Sequence, residues 1–173
     1  VPGIEVETRD HGLQTLLWRG ATTLAPRACH DGGADALYRI PMDSFGPQRP
    51  MPDLLLGPHA RIVHRSPALK EIVGADTALV PVGAFADGVN LIRVTPASPV
   101  RVFHLGFVRH EVIKVNGLEI ESFHPGTEVA TRLPEPDLKR YLSLFPHVTG
   151  LAGFGPLTVP RLSREACELL HAA

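Results

Sequence analysis

The chain has 173 residues, the size of one domain with one core, and 44% of them are hydrophobic. Seventeen Lys and Arg against eighteen Asp and Glu leave a formal charge of -1, which excludes a general affinity for nucleic acid or for an anionic membrane surface. No window approaches the roughly 20 apolar residues of a membrane-spanning helix, and Cys29 and Cys167 belong to no C-x-x-C pair, so neither a disulfide framework nor structural zinc is expected and only a single disulfide stays open.

The chain opens Val1-Pro2-Gly3, without a methionine, as in a processed protein or a trimmed piece of one. Seventeen prolines and sixteen glycines then break it into short Val/Ile/Leu runs, which reads as one mainly β domain over residues 1–173. Strands are expected at residues 4–9, 13–20 and 36–41, in the "DLLL" and "RIVH" runs on either side of Pro58, and at residues 78–81, 90–95, 101–115 and 118–123. Residues 41–52, "PMDSFGPQRPMP", hold too much proline to be other than a loop. Residues 133–173 form a helical and loop tail. A short helix lies within residues 133–145, opening at residues 134–137, with Leu138, Tyr141, Leu142 and Phe145 on one stripe. A last helix takes Ser163 as N-cap, carries Glu165 near its positive end and runs to His171.

The densest chemistry lies in "HLGFVRHEVIKVNGLEIES", residues 104–122. Asn116-Gly117 between two β-rich arms predicts a type I′ hairpin turn, because both positions need positive φ. That turn sets Val115 opposite Leu118, Ile113 opposite Ile120 and Glu111 opposite Ser122 on a largely apolar face. Lys114 with Glu119, Val112 with Glu121 and His110 with Phe123 share the more polar face, where Glu121 is the diagonal neighbour of His110. His104 has the parity of His110 and shares its face unless Gly106 introduces a bulge. By spacing alone, two half-buried sheet imidazoles with local partners fit better than a reactive pair. No third ligand converges on them in the sequence, so neither a metal nor a cofactor is expected.

The same stretch, extended to "FHLGFVRHEVIKVNGLEIESFHPG", resembles the later block of bacterial Hint domains, the hedgehog/intein type. His104, Arg109, His110, Glu111, Gly117, Leu118, Glu121, Ser122, Pro125 and Gly126 match its pattern, and Val108 replaces its usual acidic or amide residue. "PGIEVETRDHGLQTLLWRG" and "ALVPVGAFADG" resemble two further motifs of that family in the same order. Together the three cover about residues 1–126.

The resemblance implies a Hint-like β horseshoe of short strands and hairpins with a short C-terminal helix. It also implies a domain that cuts or splices its own chain, often trailing a secreted or cell-surface module. In such domains a first-position cysteine or serine attacks the preceding carbonyl, and a histidine in an S/T-P-x-H or T-x-x-H motif protonates the departing amide. The family's nucleophile lies upstream of the "PGD" block, within which this chain begins. Cys29, beside His30 in "ACHDGGAD", lies after that block and reads as a loop residue. The histidine motif aligns without gaps on "DLLLGPHARI", where Gly57 takes the place of the Ser/Thr, Pro58 matches and Ala60 takes the place of the histidine. His59 is one position early, and a one-residue shift along a strand turns a side chain to the other face. His59, His104, His110 and Glu121 are therefore the candidate site residues of a degenerate or leaderless domain that is inert in this form. In an active self-cleaving domain, His59 and His110 would be the proton-transfer groups and Glu121 the carboxylate that orients His110. The implied partner is the domain's own precursor, or a protein strand added to an open sheet edge.

Overall fold

The computed structural model describes residues 1–25, 36–126 and 128–172. Among them the strands are β1 (Glu5–Thr8), β2 (Gly12–Thr15), β3 (Trp18–Leu24), β4 (Leu37–Ile40), β5 (Leu54–Leu56), β6 (Arg61–Arg65), β7 (Thr77–Pro81), β8 (Ile92–Val94), β9 (Val100–Gly106), β10 (Val112–Val115) and β11 (Leu118–Glu121). The helices are α1 (Leu69–Val73), α2 (Val129–Arg132), α3 (Glu135–Leu142) and α4 (Arg164–Ala172). The protein is mainly β, with antiparallel strand pairs and a short C-terminal helix. Cys29 and His30 lie outside the described residues.

Two compact units are built from discontinuous stretches of chain. Unit 1 comprises Val1–Gly20, His104–Ile113 and Ser122–Thr158; unit 2 comprises Ala21–Phe103, Lys114–Glu121 and Val159–Ala173. β3 and β9 pair with one another.

In unit 1, β1 and β2 form a hairpin in register from Glu5↔Thr15 to Thr8↔Gly12, and β10 joins β1 at Thr8↔Ile113. Thr8 is buried and its hydroxyl donates to Gly12 O at 2.8 Å, which ties the turn to the strand. The single expected strand over residues 13–20 is two strands, because Leu16 and Leu17 send their amides to Ile4 O and Gly106 O and so change neighbours. An aromatic cluster fills this unit. Trp18 lies 4.9 Å from Phe123 and 4.6 Å from Phe145, and Phe145 lies 5.2 Å from Phe154. Trp18 Nε1–H donates to Leu144 O at 2.7 Å, satisfying the one polar group of the ring. The ring folds back over Gly20, where a Cβ would come within 2.3 Å of it.

In unit 2, β4 lies between β5 and β8, while β6 lies between β11 and β7. β6 and β7 are in register from Arg61↔Pro81 to Arg65↔Thr77, and Ile62 also faces Ile120 of β11. The outer side of β7 is covered, since Leu79 N–H donates to Pro160 O and Leu162 N–H to Leu79 O. That protects a sheet edge from unpaired backbone. Leu69, Ala78, Val80, Leu162 and Cys167 pack there as a fully buried cluster under α1 and α4. Ser163 Oγ accepts Ala166 N–H at 3.1 Å, so the expected N-cap of the last helix holds.

The tight turn falls where the sequence places it, with Asn116 at φ 50° and Gly117 at φ 82°. Residues 41–52 are packed against it. Met51 N–H donates to Asn116 O, Asn116 Nδ2 donates to Pro52 O and Arg49 Nε donates to Gly117 O. A Cβ on Gly117 would lie 2.7 Å from Gln48 O.

Candidate functional site

His59 stands in the turn between β5 and β6, in unit 2. Pro58 interrupts the strand, Ala60 N–H donates to Gly57 O at 3.1 Å, and the next amide bond runs from Val82 N–H to Ala60 O. The chain therefore turns at residues 57–60 rather than continuing as a strand whose alternation would fix the face of His59. His59 is exposed and has no hydrogen-bond or ion-pair partner among the described residues. Gly57 and Ala60 flank it without an ionisable group.

His104 and His110 belong to unit 1. The long expected strand over residues 101–115 breaks between them, since β9 ends at Gly106 and β10 starts at Val112, so parity along one strand no longer relates the two rings. His104 packs edge-on against Phe123, with ring centroids 6.0 Å apart. His110 is not on a polar face: it is 1% exposed. The tail explains the difference, because Thr158 covers the imidazole. Thr158 N–H donates to His110 Nδ1 at 3.0 Å, and Thr158 Oγ1 lies at the same distance. With Nδ1 accepting, Nε2 carries the proton of the neutral ring and can donate it.

His124 stands edge-on to His110, with centroids 5.3 Å apart. Its Nε2–H donates to Gly155 O and its Nδ1 accepts Gly126 N–H, both at 3.0 Å. His147 packs against Phe145 and Phe154 with its Nδ1 buried and unbonded, and burial holds its pKa below the usual histidine value. The predicted register holds at the base of the hairpin, where Ser122 N–H donates to Glu111 O at 2.9 Å and Glu111 N–H donates to Ser122 Oγ at 2.8 Å. Glu111 is itself buried, and its carboxylate meets His11.

In unit 2, Glu121 is 6% exposed and accepts from Arg161 Nε at 2.7 Å, with Arg61 at 3.9 Å from its other oxygen. Burial lowers the Arg61 pKa against the opposing pull of Glu121. Cys167 is buried, donates from Sγ to Ser163 O at 3.1 Å, and has its thiol pushed up by burial, so thiolate chemistry there is suppressed. No group of three or more His, Cys, Asp or Glu among the described residues is arranged to hold a metal ion. No helix among them is long and apolar enough to cross a membrane.

Residues 1–127 match the family model described as the Hint domain. The chain belongs to the Hint domain family. No curated protein and no solved structure matches it. The matched span of this Hint domain holds His59, His104, His110 and Glu121, whereas Thr158 and Arg161, which meet His110 and Glu121, lie beyond it. Thr158, His124, His11 and the burial of Glu111 were not legible as site features. A hydroxyl in a proline-rich tail carries no pattern that ties it to a histidine 48 residues upstream.

Proposed function

We propose that this Hint domain belongs to the self-processing type in origin and has lost the proton donor that such chemistry requires, so that it is inert toward its own chain. The observation that carries this reading is the turn at residues 57–60. The resemblance places the donor motif there, and the chain offers Gly57 and Ala60 at the two functional positions. His59 next to them is exposed and has no partner among the described residues, whereas a proton donor needs a fixed position within hydrogen-bonding reach of the departing amide. The polypeptide it would act on is its own precursor. In the inert state a protein partner replaces it, and an overall charge of -1 gives no reason to invoke nucleic acid or a membrane.

One observation favours a second reading, an active domain. His110 is buried and fixed by Thr158 with Nε2 as its proton-bearing nitrogen, a suitable donor in its own right. A fusion that places a family-type leader with a first-position cysteine ahead of Val1 separates the two. We expect the fusion to stay intact over hours with a small thiol at pH 7, followed by mass spectrometry. Thiol-dependent cleavage within minutes would establish the active reading, and its loss in His110→Gln or in His59→Gln would name the donor.

A further inference from the structure

Unit 1 also holds a carboxylate–imidazole pair separate from the candidate site, His11 with Glu111, and we propose that it is an acyl-transfer site: His11 Nε2 is the nucleophile toward activated acyl esters, and Glu111 is its positioning residue. His11 sits in the turn joining β1 to β2. Its backbone N–H donates to Thr8 Oγ1 at 3.2 Å and its carbonyl accepts Gln14 Nε2 at 2.8 Å. The ring is fixed in turn by Glu111, whose Oε2 lies 2.8 Å from Nδ1. A carboxylate only accepts, so the proton of the neutral ring is on Nδ1 and the lone pair is on Nε2.

The depth of the two groups differs in the sense that reactivity requires. The Glu111 side chain is 2% exposed and that of His11 is 36% exposed, so the carboxylate is dry while the ring reaches solvent. Glu111 is held at its backbone on both sides by Ser122. Its second oxygen, Oε1, is buried and makes no hydrogen bond among the described residues, and Arg109 Nε stands 3.9 Å from it on a side chain that is 58% exposed. A buried carboxylate left this short of donors stabilises positive charge that develops on its neighbour, because little solvent screens the interaction. No hydroxyl or thiol is hydrogen-bonded to His11 Nε2 among the described residues, so the ring itself is the reacting group.

The Nε2 lone pair adds to the ester carbonyl carbon, and the bond to the leaving oxygen breaks with its electron pair departing as the alkoxide or phenolate. The ring is positive at this stage, with the Nδ1 proton held by Glu111. Water then adds to the acyl carbon, the C–Nε2 bond breaks with its electron pair returning to Nε2, the carboxylic acid leaves, and the remaining proton of the water passes through solvent to the alkoxide or phenolate. The sum is ester plus water giving acid plus alcohol.

The probe is p-nitrophenyl acetate with the full chain at pH 7.5. We expect p-nitrophenolate release roughly tenfold faster than from an equal concentration of free imidazole, with the transient acetyl group found on His11 by peptide mass spectrometry. His11→Gln removes this excess. Glu111→Gln lowers it roughly tenfold with an unchanged far-UV spectrum, and it also abolishes the downfield Nδ1–H proton resonance of His11. A rate no greater than that of imidazole, an acetyl group on another residue, or full activity in His11→Gln would overturn the proposal and leave the pair as neutralisation of a buried charge. Should Glu111→Gln not fold, the wild-type acetylation site and His11→Gln decide.

Discussion

His147 shows how the tail treats an imidazole that it half-buries with no hydrogen-bond partner for Nδ1 among the described residues. Burial against Phe145 and Phe154 disfavours the charged ring, so its pKa is lowered in the folded protein. The unfolded chain then binds the proton more readily than the folded one. Above the unfolded value near 6.5 both forms are neutral and folding bears no penalty. As pH falls below that value the penalty grows, and it levels off below the folded pKa. His147→Phe removes the titrating group while keeping an aromatic ring. Its melting temperature should fall less between pH 7 and pH 5 than that of the wild type, as read by differential scanning calorimetry. Equal falls would show that His147 is not a source of acid instability. His110, in contrast, is covered but bonded, since its Nδ1 receives a main-chain N–H from Thr158.

At the scale of elements, the hairpin turn at Asn116-Gly117 has a second task. Besides reversing the chain it receives residues 41–52, whose Gln48 O lies where a Gly117 Cβ would be. Gly117→Ala therefore combines positive φ with a clash against backbone, and should cost about 1–3 kcal/mol in urea unfolding with the m-value unchanged. A wild-type midpoint would mean that the loop yields to the added methyl group. This turn was legible because Asn-Gly has one dominant use between β arms, and the N-cap at Ser163 was legible for a similar local reason. The breaks at Leu16–Leu17 and after Gly106 were not, because they follow from a change of hydrogen-bonding neighbour that no local preference records. The burial of His110 was missed for the same reason. The hairpin register correctly set Glu111 opposite Ser122, yet the face assigned to His110 depended on Thr158 in the tail.

For the whole molecule, the matched Hint span accounts for the β framework and for His59, His104, His110 and Glu121, while the tail provides Thr158 to His110 and Arg161 to Glu121. On the proposed reading framework and chemistry are separable, since a fold rests on hydrophobic burial and backbone pairing rather than on a proton donor in a turn. The proposed loss can be tested by restoring the donor motif. A Cβ at Gly57 would sit 3.4 Å from Val102, an ordinary contact, and the φ of Gly57 is not positive, so a serine fits there. The most direct measurement is thiol-induced cleavage of the leader fusion with and without Gly57→Ser and Ala60→His together. We expect the unaltered fusion to stay intact and the pair of substitutions to raise the cleavage rate by roughly 100-fold, the usual contribution of a positioned general acid. Fast cleavage with Ala60 in place, or no gain when both substitutions are present in a folded protein, would contradict the proposed reading.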